Sequence, residues 1–298
     1  MARRKNTRVK TYFLANAVVA LAFFPAILYS QQQSVQQDSV GDWTTLQEVE
    51  VNALALSNTK FEYGGMIGTI NAKKLQLSDP AIVSGEMNKI PGVYWHSGAL
   101  NTNRITIRGI GSRSPFSTNK IRAYYEDIPL TDGGGETTLE DVDLSFVGGI
   151  EVQKGANSSL YGSGLGGTIF LKKPVIDNNS METNLTYGSF GLIRAGVRGS
   201  IATSEGAFRM GYQSQQSDGY RNSNSFERQT LFISSDVMLG QNEISFLGLF
   251  IDQRAFIPSS LGITDFTENP RNAAFTWGAA RGFEDYERWL AGLSWTRK

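Results

Sequence analysis

The chain has 298 residues with no cysteine and one histidine, and 28 basic residues balance 28 acidic ones. The lack of cysteine excludes disulfide frameworks and thiolate metal sites. A single histidine is too few for a zinc site with several histidine ligands and makes a Ser-His-Asp triad improbable. The composition therefore argues against a histidine-ligated zinc enzyme and against a Ser-His-Asp hydrolase.

Residues 1–30 have the two parts of a secretory signal peptide. The first ten residues carry five basic side chains and no acid, and residues 13–28 are almost wholly apolar. A membrane anchor is the alternative, but a span needs about 20 apolar residues, and Asn16 and Pro25 interrupt this segment. We predict cleavage and export. The mature chain then has 23 basic and 28 acidic residues, a balance that argues against general nucleic-acid binding.

Residues 31–57 are predicted to be a flexible leader that contains one extended segment. Residues 31–45 are polar and rich in glutamine, and they show no period. The residues that follow alternate in polarity, which suits an edge strand or a segment that pairs with a partner by strand addition. This segment consists of Leu46, Gln47, Glu48, Val49, Glu50 and Val51.

Residues 58–174 combine short helical and strand-like segments. Residues 73–90 indicate a connection with short helices that ends at Pro91 and Gly92. Two turn-rich stretches, 92–103 and 110–119, are expected to be exposed.

Acidic residues lie beside glycines in the stretch 130–143. Their spacing does not match a calcium-binding loop, so we interpret the stretch as a solvated acidic loop.

The run Ile150–Lys173 is the most distinctive part of this region. Residues 150–154 alternate as a short strand, Gly155 ends it, and a glycine-rich turn leads to a second β-rich run. Gly162, Gly164 and Gly167 also satisfy the dinucleotide spacing G-x-G-x-x-G. We reject a dinucleotide site because a strand-like segment, not a helix, follows the last glycine.

Three motifs in this region resemble the plug domain of TonB-dependent outer-membrane receptors. They are the run 150–173, the I-x-I-R-G strand at 105–109 and the Y-x-D-G-I-P-like turn at 124–129, where Asp127-Ile128 departs from the usual Asp-Gly. The matching positions are Arg104, Ile107, Arg108, Gly109, Asp127, Glu151, Lys154, Gly155, Tyr161, Gly162, Gly164, Gly166 and Gly167. The resemblance implies an α+β plug over 58–174.

Residues 175–298 change to a two-residue alternation in runs of about ten residues, which is typical of a transmembrane β-barrel. The length suffices for roughly six strands. The family's barrel has about 22 strands, and an open barrel would leave unpaired edges in lipid. We therefore expect this chain to be the N-terminal part of a longer receptor, with an incomplete barrel.

The resemblance implies an outer-membrane receptor that imports a scarce ligand, with a ferric siderophore or other iron chelate as the leading hypothesis. Import of cobalamin, haem or an oligosaccharide is the alternative, as is a non-transporting surface protein. It also implies that the segment Leu46–Val51 is a TonB box, that TonB and its inner-membrane complex are partners, and that the receptor is a monomer in outer-membrane lipid. No cofactor is expected, since iron would be present only in the chelate.

The resemblance also suggests residues for ligand contact and for plug seating. Exposed aromatic and cationic groups suit an anionic, often aromatic chelate, although packing inside the protein is the alternative for each of them. The ligand candidates are Tyr94, Trp95, His96, Arg113 and Phe116. Arg108 is expected to pair with a barrel glutamate that would lie beyond Lys298.

Overall fold

The computed structural model describes residues 66–77, 84–99, 102–112, 118–137, 139, 142–156, 161–162 and 164–297. The predicted signal peptide (1–30), the leader (31–57) with its proposed TonB box, and the ligand candidates Arg113 and Phe116 lie outside the described residues.

Residues 66–173 form a domain with both helices and strands, here called the mixed domain. Its main sheet has five strands in the order β1-β6-β7-β4-β5, in which only β4 and β7 run parallel. The strands are β1 (Met66–Asn71), β4 (Ile121–Tyr125), β5 (Ile128–Pro129), β6 (Gly149–Lys154) and β7 (Gly167–Lys172). β6 and β7 are the two β-rich runs on either side of the glycine-rich turn, so the predicted strand–turn–strand is confirmed.

A separate two-stranded antiparallel sheet and short helical segments complete the mixed domain. The sheet contains β2 (Val93–Ala99) and β3 (Thr102–Ile107). The helical segments are α1 (Ala72–Leu77), α2 (Ser84–Met87) and a 3-10 turn (Leu144–Phe146). α1 and α2 lie in the connection where short helices were predicted.

Six long antiparallel strands, here called the wall, follow the mixed domain in simple chain order. They are β8 (Ser180–Tyr187), β9 (Ile193–Thr203), β10 (Gly206–Ser217), β11 (Phe226–Leu239), β12 (Asn242–Phe256) and β13 (Phe283–Arg297). The prediction of about six strands from the two-residue period is confirmed.

The two faces of the wall differ in the way that the alternation requires. Trp289 and Leu293 are each 74% exposed on the outer face, whereas Phe232 and Ile251 are almost fully buried on the inner face. Successive side chains of a strand point to opposite faces, so one apolar face remains uncovered while the other packs against the mixed domain. An uncovered apolar face on a sheet of six strands is consistent with a lipid-facing surface.

The core lies between the main sheet of the mixed domain and the inner face of the wall. Tyr125, Val152 and Ile169 belong to the same buried apolar cluster as Phe232 and Leu249 of the wall. The mixed domain is therefore packed against the wall by apolar burial, the principal favourable term in folding.

A long connection between β12 and β13 contains two short helices that the sequence did not predict. They are α3 (Ile263–Glu268) and α4 (Phe275–Ala280). None of the helices in the described part of the chain is both long enough and apolar enough to cross a membrane.

Candidate functional site at the junction of the mixed domain and the wall

Asp143 is the central residue of the junction between the mixed domain and the wall. It begins the 3-10 turn, where its carboxylate accepts hydrogen bonds from the Ser145 backbone N–H at 2.9 Å and from the Ser145 hydroxyl at 2.5 Å. Asp is a favoured residue at such a position because its oxygen satisfies an otherwise unpaired N–H. The side chain is completely buried.

Two arginines of the wall bind the two oxygens of this carboxylate. Arg194 of β9 donates to Oδ1 at 2.6 Å, and Arg228 of β11 donates to Oδ2 at 3.1 Å. Gln215 of β10 lies between them in the strand register and accepts a hydrogen bond from Arg194 at 3.0 Å. We call Asp143, Arg194 and Arg228 the ion cluster. All three residues are buried, and the cluster joins the mixed domain to β9 and β11, with Gln215 of β10 bonded to Arg194 between them.

The electrostatics of the ion cluster favour the charged carboxylate. Burial alone would raise the pKa of Asp143, but the charges of Arg228 and Arg194, with the hydrogen bonds from Arg194 and Ser145, outweigh burial and lower it below the ordinary value. The interpretation of residues 130–143 as a solvated loop is therefore wrong at its end: Asp132 and Glu136 are exposed, but Asp143 is an interior anion.

The depressed pKa predicts how the junction responds to acid. A carboxyl group with a lowered folded-state pKa stabilises the fold above its unfolded-state pKa, about 4, and loses that contribution as the pH falls through the folded-state value. We expect the unfolding temperature of the protein in detergent to exceed that of Asp143→Asn at neutral pH, with the gap closing only well below pH ~4. A gap that closes near neutral pH would contradict this.

Phe146, at the end of the same 3-10 turn, packs against the wall in the space beside Gly211 of β10. Its ring stacks on Phe232 with centroids 5.0 Å apart, and Tyr125 donates its hydroxyl to the Phe146 carbonyl at 2.5 Å. A Cβ at Gly211 of β10 would lie 2.4 Å from the ring, so only glycine leaves this space free. Burial raises the pKa of Tyr125 well above its usual value, which keeps the hydroxyl protonated as a donor.

A second polar connection joins the end of the mixed domain to the wall. Lys173 forms a salt bridge with Asp236 of β11, and Asp236 also accepts a hydrogen bond from Ser245 of β12 at 2.5 Å. This pair is partly exposed, so it contributes less than the ion cluster to holding the two parts together.

The motif residues in and beside β6 and β7 have structural roles in the mixed domain. Gly167 has φ = +142°, and a Cβ there would lie 2.2 Å from the Gln153 carbonyl, so the close pairing of β6 and β7 requires glycine. Lys154 is buried and donates to the Pro91 carbonyl at 2.8 Å. Tyr161 contacts the edge of Phe170 with ring centroids 4.8 Å apart.

The remaining glycines of the motif support tight backbone geometry. Positive φ angles occur at Gly109, Gly155 and Gly162, while added Cβ atoms at Gly164 and Gly166 would crowd Gly167 and Ile121 respectively.

Glu151 of β6 is buried and accepts a hydrogen bond from Gln153 at 2.7 Å. Burial raises its pKa, although the Gln153 hydrogen bond and Lys172 oppose the shift.

The turn between β4 and β5 tolerates the departure from Asp-Gly. Glu126 takes the left-handed conformation with φ = +51°, Asp127 is exposed, and Ile128 already lies in β5. The Glu126 carboxylate accepts a hydrogen bond from the Lys173 backbone N–H at 2.5 Å. The turn is therefore held by its connection to the end of the mixed domain.

The ligand candidates on β2 have different environments. Tyr94 is 53% exposed and lies beside the exposed His96, with ring centroids 6.5 Å apart. Trp95 points to the other face and is 2% exposed, with its backbone bound to the Asn88 amide. The alternation along the strand explains the difference, because neighbouring side chains alternate between faces. Trp95 packs in the core and presents no surface to a ligand.

The two arginines of the 104–109 motif are not part of the ion cluster. Arg104 is half-buried opposite His96, and its guanidinium lies 3.5 Å from the Ser112 carbonyl. Arg108 is exposed with φ = +49°, and its backbone N–H donates to the Gly92 carbonyl at 2.7 Å. Within the described residues, no carboxylate forms a salt bridge with Arg108, and the predicted barrel glutamate stays a prediction. Ile107 is fully buried in the core.

The mixed domain corresponds to a known family. Residues 59–168 match the family model described as the TonB-dependent receptor plug domain. The chain carries a TonB-dependent receptor plug. The resemblance drawn from the three sequence motifs is thus confirmed, and the ion cluster and the Phe146 contact join this plug to the wall.

Several solved structures have a similar fold over part of a longer chain. The unliganded ferric citrate transporter FecA is 17% identical with a TM-score of 0.68, covering 80% of this chain and 38% of FecA. The ferric yersiniabactin uptake receptor FyuA from Yersinia pestis is 17% identical with a TM-score of 0.58, covering 78% and 38%. The pyoverdine receptor FpvA from Pseudomonas aeruginosa PAO1 is 19% identical with a TM-score of 0.55, covering 64% and 28%. These likenesses confirm the fold, and the chain spans less than two fifths of each neighbour.

Sequence reasoning missed the ion cluster. Arg194 and Arg228 sit on the polar side of alternating strands, where many other polar side chains occur, and Asp143 is one of several acids in its stretch. One sequence signal could have indicated Asp143. An aspartate two residues before a serine fits the start of a capped turn, and such a turn holds the acid in a fixed position.

Proposed function

We propose that this chain is part of an outer-membrane receptor that imports an iron chelate, driven by TonB. The observation that supports this most directly is a family-defined plug held on the inner face of a strand wall by discrete contacts. The ion cluster and the Phe146 contact give the plug one firm seat. A plug that packs on the wall through a shared apolar core, with a few specific polar contacts, suits a stopper that occupies one defined position.

The ligand class rests on the named functions of the structural neighbours. They are described as receptors or transporters for ferric citrate, ferric yersiniabactin and pyoverdine. In our proposal iron arrives as cargo inside a chelate, and the protein holds no cofactor of its own. Tyr94 and His96, with Arg113 and Phe116, are the proposed ligand contacts. Trp95 is not retained among them because it is buried.

The energy-coupling partner is proposed to be TonB, which would bind the segment Leu46–Val51 by strand addition. Such pairing depends on backbone N–H and C=O groups more than on particular side chains. The proposal includes a signal peptide over residues 1–30, a location in the outer membrane and a monomeric receptor.

The test compares uptake in cells that contain the intact receptor, its deletion, or Val49→Pro under iron limitation. Proline removes a backbone donor from the proposed added strand, so uptake of the radiolabelled ferric chelate should be lost while surface binding persists. Val49→Ala, which keeps the N–H, is the matched control and should import normally.

Two results would contradict different parts of the proposal. Normal uptake by Val49→Pro would place the TonB contact elsewhere in the chain. If deletion of the gene changes neither iron-limited growth nor ferric chelate uptake, the ligand is not an iron chelate, and cobalamin, haem and oligosaccharide uptake are then compared in the same strains.

A further inference from the structure

The inner face of the wall carries a row of polar side chains that continues past the ion cluster. The strand register places Arg228 of β11 opposite Gln253 of β12, and Gln253 opposite Tyr286 of β13. Gln253 is 1% exposed, and its side-chain nitrogen donates to the Tyr286 hydroxyl at 3.1 Å. This row therefore extends the polar environment of Arg228 toward β13.

Two side chains in this region carry buried polar atoms without a protein partner. The Gln253 side-chain oxygen and the Thr230 hydroxyl both lack hydrogen bonds within the described part of the chain, and Thr230 is also 1% exposed. If the Gln253 amide were rotated by 180°, its oxygen would face the Tyr286 hydroxyl and its nitrogen would be the atom without a partner. One polar atom of the amide is therefore unpaired in either orientation. Leaving such a group unpaired costs about 1–3 kcal/mol.

The two unpaired groups are diagonal neighbours on one face. Thr230 lies opposite Ile251, two residues from Gln253 along β12, and both Thr230 and Gln253 point inward. Diagonal pairs in antiparallel sheets have Cα atoms about 7–8 Å apart. One water can join polar atoms about 4.5–5.5 Å apart, because each of its hydrogen bonds spans about 2.8 Å and the two bonds meet at an angle.

We propose that Thr230 and Gln253 form a binding site for one internal water molecule between the plug and the wall. Water fits the chemistry because it can donate to the amide oxygen and either donate to or accept from the threonine hydroxyl. The site lies beside Arg228 and away from Arg194.

The first test is a high-resolution crystal structure of the intact receptor. The expected result is an ordered water within about 3.2 Å of both the Thr230 hydroxyl oxygen and the Gln253 amide. A dry gap at this position, or a protein side chain bonded to both groups, would overturn the proposal.

The second test is a double-variant cycle on unfolding temperature, using Thr230→Val, Gln253→Leu and both together. If the two side chains hold one water, either change alone disturbs it, and the double variant lowers the temperature by less than the sum of the single effects. Thr230→Ser keeps the hydroxyl and is the control that retains the water. Additive effects, or a higher unfolding temperature for Thr230→Val alone, would show an unsolvated hydroxyl and overturn the site. Neither readout depends on the transported ligand.

Discussion

Asp143→Asn is expected to loosen the plug more than any other single polar change in the described region. The substitution keeps the size of the side chain but removes its charge, which leaves Arg194 and Arg228 buried without their shared anion. Removing one partner of a buried ion pair costs about 3–5 kcal/mol. We expect a lower unfolding temperature in detergent, faster hydrogen exchange in residues 142–147, and increased entry of large antibiotics.

The matched control for this change is Asp127→Asn. Asp127 is an exposed aspartate in the β4–β5 turn, with no salt bridge among the described residues. It should behave like the unmodified protein in all three measurements. If Asp143→Asn also does so, the ion cluster does not hold the plug.

Gly211→Ala is expected to displace Phe146 from its position in the wall. The new methyl would lie 2.4 Å from the Phe146 ring, which is buried and already stacked on Phe232. Overpacking of this kind typically costs about 1–3 kcal/mol. The expected result is a lower unfolding temperature of the protein and faster hydrogen exchange at residues 144–147, while the other wall strands keep their protection.

Gly199→Ala on the adjacent strand is the matched control. A Cβ there has only an ordinary contact, 3.8 Å from the Ser180 carbonyl, so little change is expected. The pair Gly211→Ala with Phe146→Leu tests the cause, because a smaller side chain should recover part of the lost stability. No recovery would mean that the methyl acts through the strand and not through Phe146.

Much of the fold could be predicted because its signals are local. The two-residue period of the wall comes from the geometry of an extended strand, and it gave the six strands and their apolar face. The proline and glycine residues marked where segments end, and the motifs at 105–109 and 150–173 identified the plug. The helices α3 and α4 gave no such signal, since each has only six residues and no side-chain cap.

The burial of the candidate site residues could not be predicted from local signals. Trp95 was grouped with Tyr94 and His96 because all three suit a ligand, but a strand sends neighbouring residues to opposite faces, and only packing showed which face was the core. In the same way, the sequence did not distinguish Asp143 from the other acids at 130–143. Only the structure shows that Asp143, at the start of the 3-10 turn, is buried.

The sequence by itself determined the order of the elements, the two-sided character of the wall and the identity of the plug, because these depend on neighbours within about ten residues. Tertiary structure alone decided that Asp143 meets Arg194 and Arg228, which are 51 and 85 residues away, and that Phe146 meets Gly211. The physical reason is that the partners of a buried charge, and the space available to a buried ring, come from residues that are distant in the sequence. Strand register across β9, β10 and β11 brings those surroundings together, and it is set by pairing over the whole sheet.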